Sequence, residues 1–239
     1  MSRRRNLVFG WTLAVLAIGL FASLGTWQSR RAVEKQAMLD AADRVLVDRR
    51  AVPLAAAADA QRARDYDWSV GTGRFDARGA LLLDNQQREG RVGVRAYRIF
   101  VPDAGVPLLV DLGWLPLAGD RALPRVEQPA GDYELRGLLV PPPSTGIAVG
   151  PALSATGDGW LMTRVDMDAI AAKTGLSVAL APRVLRLDPA LPLGYARDLE
   201  LLPNTLPPDK HRGYAVQWFA LALAVLATAL VLTFRKVRR

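Results

Sequence analysis

The sequence holds no cysteine and only one histidine among its 239 residues. The first absence excludes disulfides, thiolate metal sites and thiol nucleophiles. The second leaves a zinc site without a ligand set. It also gives a Ser-His-Asp triad only one place to form, and no Gly-x-Ser-x-Gly elbow accompanies it. Aromatic residues are few, at 7%. The formal net charge is +8, but nearly all of that excess sits at the two ends of the chain. Arg3, Arg4 and Arg5 open the sequence, and Arg235, Lys236, Arg238 and Arg239 close it. With those residues set aside, the basic and acidic groups nearly balance. A nucleic-acid binder carries its charge along a folded surface, so nucleic acid is not an expected partner.

Other familiar sites are missing too. Gly71-Thr72-Gly73-Arg74-Phe75-Asp76 starts like a dinucleotide loop, but Asp76 stands in place of the third glycine and no βαβ unit surrounds it. Asp166-x-Asp168 lacks the remaining ligands of a calcium loop and suits helix capping. Asp65 and Asp67 alternate with Tyr66 and Trp68 at a strand start, where a solvated pair is expected. No internal repeat is present.

What the sequence does have is two long uncharged apolar runs. Leu7 to Leu24 reads LVFGWTLAVLAIGLFASL, and Gly213 to Phe234 reads GYAVQWFALALAVLATALVLTF. As helices they would rise ~27 Å and ~33 Å, close to the hydrocarbon thickness of a bilayer. A cleaved signal peptide is the rival for the first run, but it exceeds the ~7–15 residues of an h-region, and Leu24-Gly25 makes a poor cleavage pattern. A core helix is the rival for the second, yet core helices are not apolar all round with a basic cluster after them. Two transmembrane helices are therefore expected. The basic tips put both termini in the cytoplasm and the intervening segment outside. No transit peptide precedes Leu7, so a bacterial inner membrane is expected rather than an organellar one.

Between the spans the pattern changes. Trp27 to Arg50 lacks glycine and proline and reads as a helix that carries the first span outward. Trp27 has the character of an interfacial anchor, and Arg30, Arg31 and Lys35 that of side chains reaching lipid phosphates. From Tyr66 onward the pattern is that of strands. Trp68 to Phe75 leads through a turn at Asp76 to Gly79 into Ala80 to Leu83. Arg95 to Val101 and Val106 to Leu115 flank Pro102-Asp103-Ala104-Gly105 as a hairpin, with Leu108, Val110, Leu112 and Trp114 on one face. Further strands are expected at Asp132 to Val140, Trp160 to Val165, Val184 to Leu187 and Tyr195 to Leu201. A short helix between Asp166 or Asp168 and Gly175 completes the set.

The expected fold is a membrane protein in which two transmembrane helices flank a mainly antiparallel β (α+β) extracytoplasmic domain. Its parts are a cytoplasmic tip (1–6), the first span (7–24), a helical extension and connection (25–65), the β domain (66–203), a proline-rich linker (204–212), the second span (213–234) and a basic tail (235–239).

The remaining singular feature is His211, at the border of the second span. On a helix it shares a face with Tyr214 or Ala215 and with Trp218. An ionisable residue at the end of a span is often functional, while interfacial His, Tyr and Trp also serve as anchors. Both roles fit these residues. A neutral imidazole can ligate heme iron, and Lys210 and Arg212 are placed to pair with heme carboxylates.

Four stretches, in this order between two spans, resemble the surfeit locus protein 1 family of cytochrome c oxidase assembly factors. They are Leu24-Gly25-Thr26-Trp27-Gln28 with Arg31 and Lys35 at the family's spacing, Gly73-Arg74-Phe75-Asp76, Val110-Asp111-Leu112-Gly113-Trp114-Leu115-Pro116, and His211-x-x-Tyr214-Ala215-x-Gln217-Trp218-Phe219. The resemblance covers essentially the whole chain. Departures are Glu34 for an aromatic, Ser29 for an apolar residue, Asp111-Leu112 for Asn-Arg, and Asp209-Lys210 where an asparagine often precedes the histidine. Arg95 or Arg98 would have to supply what that missing arginine does.

The resemblance implies a non-enzymatic role, helping heme a reach or stay in the oxidase catalytic subunit, with heme a synthase as a further partner. It implies His211 as axial ligand of a transiently bound heme a, with Tyr214, Trp218 and Arg212 around the macrocycle. Trp27, Gln28, Arg31, Gly73 and Trp114 become candidates for partner contact. The competing class is a cofactor-free scaffold that holds an oxidase core subunit through helix and β-domain contacts, for which Gly25, Ala215 and Ala222 would allow close helix approach. A membrane-tethered enzyme is a third class, with no visible site.

Overall fold

The structure, a computed structural model, describes residues 3–144, 150–201 and 206–234. In chain order its elements begin with helix α1 (Arg3–Asp48) and strand β1 (Ala51–Pro53). Two 3-10 turns (Leu54–Ala58, Ala60–Arg62) lead to β2 (Asp67–Phe75), β3 (Leu81–Arg88), β4 (Arg91–Pro102) and β5 (Leu108–Pro116). Then follow β6 (Asp132–Val140), β7 (Leu153–Thr156), β8 (Gly159–Met162), helix α2 (Met167–Thr174), β9 (Val184–Leu187) and helix α3 (Pro208–Phe234). The chain divides into two compact units, Met1–Asp40 with Thr205–Arg239, and Ala41–Asn204.

The first unit pairs α1 with α3. Both helices are long and apolar enough to cross a membrane. Their large apolar residues, among them Phe9, Leu16, Leu20, Leu223 and Val231, point outward. That arrangement is unfavourable in water and natural in lipid. Thr12, Thr26, Ser29, Thr228 and Thr233 each donate their hydroxyl to a carbonyl one turn back, which satisfies these donors within their own helix.

Contacts between the two helices pair early residues of one with late residues of the other, so they run antiparallel. The Trp11 indole N–H donates to Thr233 Oγ1 at 3.0 Å. Phe21 stacks on Trp218 at 5.7 Å. Gly25 lies so close beneath Phe219 that a Cβ there would stand 2.8 Å from the ring. Ala14, Ala32, Ala215 and Ala222 are buried along the seam, where small residues let backbones approach.

The second unit is a nine-stranded sheet in the order β1-β2-β6-β9-β5-β4-β3-β8-β7, with a further β2–β4 pairing. That pairing, Gly73 to Phe75 against Pro102 to Phe100, joins β2, β6, β9, β5 and β4 into a closed ring. Closure gives each strand of the ring a neighbour on both sides, while β1 and β7, with one neighbour each, remain edge strands. The sheet is mixed, since β1–β2, β3–β8 and β5–β9 run parallel and the other pairings are antiparallel. A mainly antiparallel sheet was the expectation, and six of the nine pairings among the described residues are antiparallel. The three parallel pairings were not foreseen, because periodicity does not report which partner a strand takes.

Alternation along the strands fills two apolar clusters. Phe75, Phe100, Leu108, Val110, Leu135 and Leu185 build one. Tyr97, Ile99, Leu109, Leu138 and Val184 build the other, with Ile170 of α2 and Ala42 from the end of α1. Asp166 caps α2 by accepting from the Ala169 N–H, and Gly175 ends it with φ 70°. Tyr195 to Leu201 forms no strand; its ladder contact is the single bridge of Ala196 with Trp114.

Candidate functional site

Helix α3 begins at Pro208, so His211 lies in its first turn rather than in a linker before it. Proline suits the first helical position because its missing N–H has no intrahelical partner there. The carbonyl of Pro207 accepts from the N–H groups of Lys210 and His211, and Asp209 sits at the positive end of the helix.

Helical period then decides what His211 shares a face with. His211, Ala215 and Ala222 are buried, and Trp218 stacks on Phe21, so 211, 215, 218 and 222 line the seam with α1. Tyr214, the other candidate at that spacing, is 42% exposed and turns away. Arg212 is exposed as well and pairs with Asp209 at 2.6 Å.

The imidazole itself is 6% exposed. Its Nδ1 lies 2.6 Å from Oε1 of Gln28 on α1. An amide oxygen only accepts, so Nδ1 carries the proton and a neutral ring in this contact has its lone pair on Nε2. Nε2 is enclosed and has no hydrogen-bond partner. A buried polar atom left unpaired costs about 1–3 kcal/mol, so this one calls for an explanation. Two turns along the same face of α1, Lys35 is buried and donates to the Leu206 carbonyl at 2.5 Å. Sequence reasoning placed Gln28 and Lys35 at a partner or lipid surface. Nothing local distinguishes them; only the helix pairing brings them to α3.

The remaining candidates are dispersed. Trp27 is 56% exposed on α1, and Arg31 is exposed and paired with Glu34 at 3.1 Å. Gly73 and Trp114 belong to the β domain and lie inside it. A Cβ on Gly73 would fall 2.3 Å from the Val101 carbonyl, at the point where β2 meets β4. Trp114 is 6% exposed, and its indole N–H donates to the Gln86 carbonyl at 3.2 Å. Phe75 of the same motif packs edge-on against Phe100 and Tyr133.

Asp111 and the arginines named beside it have structural employment. Asp111 is buried and meets Arg95 at 2.6 Å and Arg186 at 3.6 Å. Arg98 spends its guanidinium on the carbonyls of Arg78, Val126 and Glu127 and on the Gln128 side chain. Among the described residues no cluster of three or more His, Cys, Asp or Glu could hold a metal ion.

No curated protein sequence matches the chain. The sequence model of the SURF1 family, whose members are known as cytochrome c oxidase assembly factors, matches residues 15–223, which takes in the Gln28–His211 pair and the whole β domain. With most of its length matched, the chain belongs to the SURF1 family.

Proposed function

We propose that the protein assists the placement or retention of heme a in the catalytic subunit of cytochrome c oxidase, with Nε2 of His211 as axial ligand of a transiently held heme. One observation carries the reading. The only imidazole in the chain is held by Gln28 in the tautomer that leaves Nε2 bare, enclosed and without a partner. Histidine ligands of metals characteristically donate their other ring N–H to such an acceptor, which fixes the ring and raises its basicity.

The donor set therefore fits a heme iron, which when bound would supply a Lewis-acidic centre for that lone pair. Trp218 lies on the seam and would pack the macrocycle, while Tyr214 and Arg212 are exposed and stand off that face. Nε2 has no exposed surface, so an incoming ligand reaches it only when a neighbouring side chain swings aside. In this reading both termini lie in the cytoplasm of a bacterial cell, and the β domain stands on the periplasmic side. Heme a synthase upstream and the oxidase catalytic subunit downstream are the partners, with Trp27 and Arg31 as exposed contact residues. The role is assembly, not catalysis.

The enclosure of Nε2 favours a second reading, a cofactor-free scaffold that grips an oxidase core subunit. One experiment separates them. The protein is coexpressed with a heme a synthase and purified as wild type and His211→Ala. Heme a should accompany the wild type in stoichiometric amount and be absent from the variant. Equal heme in both removes His211 as ligand. A heme-free wild type that still copurifies with the catalytic subunit establishes the scaffold.

A further inference from the structure

Lys35 is a buried cation with no counter-ion among the described residues. It is 7% exposed, and its ammonium has one partner, the neutral carbonyl of Leu206. Among the described residues no carboxylate lies within ion-pair distance of it, and residues 202–205, next to Leu206 in sequence, include no acid. Arg31, one turn earlier on α1, is exposed and paired with Glu34 at 3.1 Å. Its charge and that of Lys35 are close enough to act on one another and on the His211 ring. A desolvated ammonium bound only to a carbonyl is unfavourable unless an anion joins it.

Position says where that anion comes from. Lys35 follows Gln28 by seven residues on one face of α1, about 10.5 Å along the helix axis. Gln28 holds the imidazole. Lys35 and Arg31 are near enough to the His211 ring to act on it, so they are placed to meet an anionic group at the edge of a ligand held there.

We propose that Lys35, with Arg31 beside it, forms an oxyanion subsite that takes a carboxylate of the ligand bound at His211. A porphyrin's peripheral carboxylates have that chemistry, and the assignment rests on the heme reading of His211. A phospholipid phosphate offers the same chemistry from another source. Ammonium and guanidinium donors form charge-assisted hydrogen bonds to either group, and the carbonyl of Leu206 holds the ammonium in place.

The test titrates full-length protein in nonionic maltoside micelles, free of phosphate, with iron protoporphyrin IX and with its dimethyl ester, followed in the Soret band. Wild type should prefer the diacid about tenfold or more, the scale of one charge-assisted hydrogen bond. Lys35→Gln keeps a donor for the Leu206 carbonyl without the charge, and should bind both compounds with the wild-type ester affinity. Lys35→Arg should keep the preference, and His211→Ala should lose both ligands. If the Lys35→Gln variant discriminates between acid and ester as the wild type does, the subsite is overturned while the ligand role of His211 stands. If the wild type binds neither porphyrin, the ligand reading fails, and phosphatidylglycerol added to the micelles decides the subsite. A rise in melting temperature seen in the wild type and lost in Lys35→Gln then assigns it to a lipid phosphate. Equal shifts in the two proteins reject it.

Discussion

Nδ1 of His211 and Oε1 of Gln28 stand 2.6 Å apart although 183 residues separate them in the chain. This one contact fixes the tautomer of the ring, ties the first turn of α3 to α1 and decides which nitrogen is available to a ligand.

The tautomer is open to direct measurement, because a chain with one histidine gives one imidazole signal pair. In protein labelled with nitrogen-15 histidine, the wild type should show the proton on Nδ1 and a bare Nε2. Gln28→Leu removes the acceptor, and the ring should revert to a mixture rich in the Nε2–H form. Loss of such a supporting partner typically weakens metal affinity 10–100-fold, and a drop of about that size is expected for iron protoporphyrin IX. Gln28→Glu should keep the tautomer and give the ring a more imidazolate-like spectroscopic signature. A wild-type ring protonated on Nε2 would refute the assignment.

Close approach of α1 to α3 depends on Gly25. Its missing Cβ would lie 2.8 Å from Cε1 of Phe219. Gly25→Val should force the ring aside or the helices apart, at about 1–3 kcal/mol as for other overpacked sites. Phe219→Ala, made in the Gly25→Val background, should recover part of that loss. Thermal unfolding in detergent reads both, and additive losses would contradict direct contact.

Much of this was legible from local pattern. The strands Asp132–Val140 and Val184–Leu187 fall where alternation and turn residues put them, and Asp166 and Gly175 cap α2 through the side-chain acceptor and the left-handed φ that their residue types favour. Absence of glycine and proline after Trp27 carries α1 to Asp48. The illegible parts are long-range. β1 and β7 span three and four residues, too short to show a period. Closure through β2–β4 joins segments that each read as ordinary strands. At the site, the 3.6-residue period left Tyr214 and Ala215 as equal neighbours of His211, and only packing on α1 chose Ala215. Gln28 and Lys35 looked like surface residues because nothing local announces an antiparallel partner helix.

Inside the β domain Arg95, Asp111 and Arg186 form a buried charge cluster, in which Asp111 meets both arginines and Asp198 stands 3.6 Å from Arg186. Removing one partner of a buried pair commonly costs about 3–5 kcal/mol, since it strands the other charge. Asp111→Ala should destabilise the domain by that order in chemical denaturation. Arg95→Met combined with Asp111→Leu should cost less than Asp111→Ala alone. A double variant that proves worse would mean that the cluster stabilises the fold outright.

Acid sensitivity should be traceable to Asp188. Burial alone would raise its pKa, but the Ala190 N–H at 3.0 Å and the Arg136 guanidinium at 2.7 Å outweigh it and hold the carboxyl below its ordinary value. A folded-state value below the unfolded one contributes stability that is fully present above the unfolded value, about 4, and is lost as pH falls through the folded one. Asp188→Asn should therefore lower the melting temperature at neutral pH, and the gap to wild type should narrow steadily below about pH 4. Parallel melting curves from pH 7 to pH 3 would show that the ionised carboxylate contributes nothing, and that the Ala190 and Arg136 bonds to Asp188 act as neutral contacts.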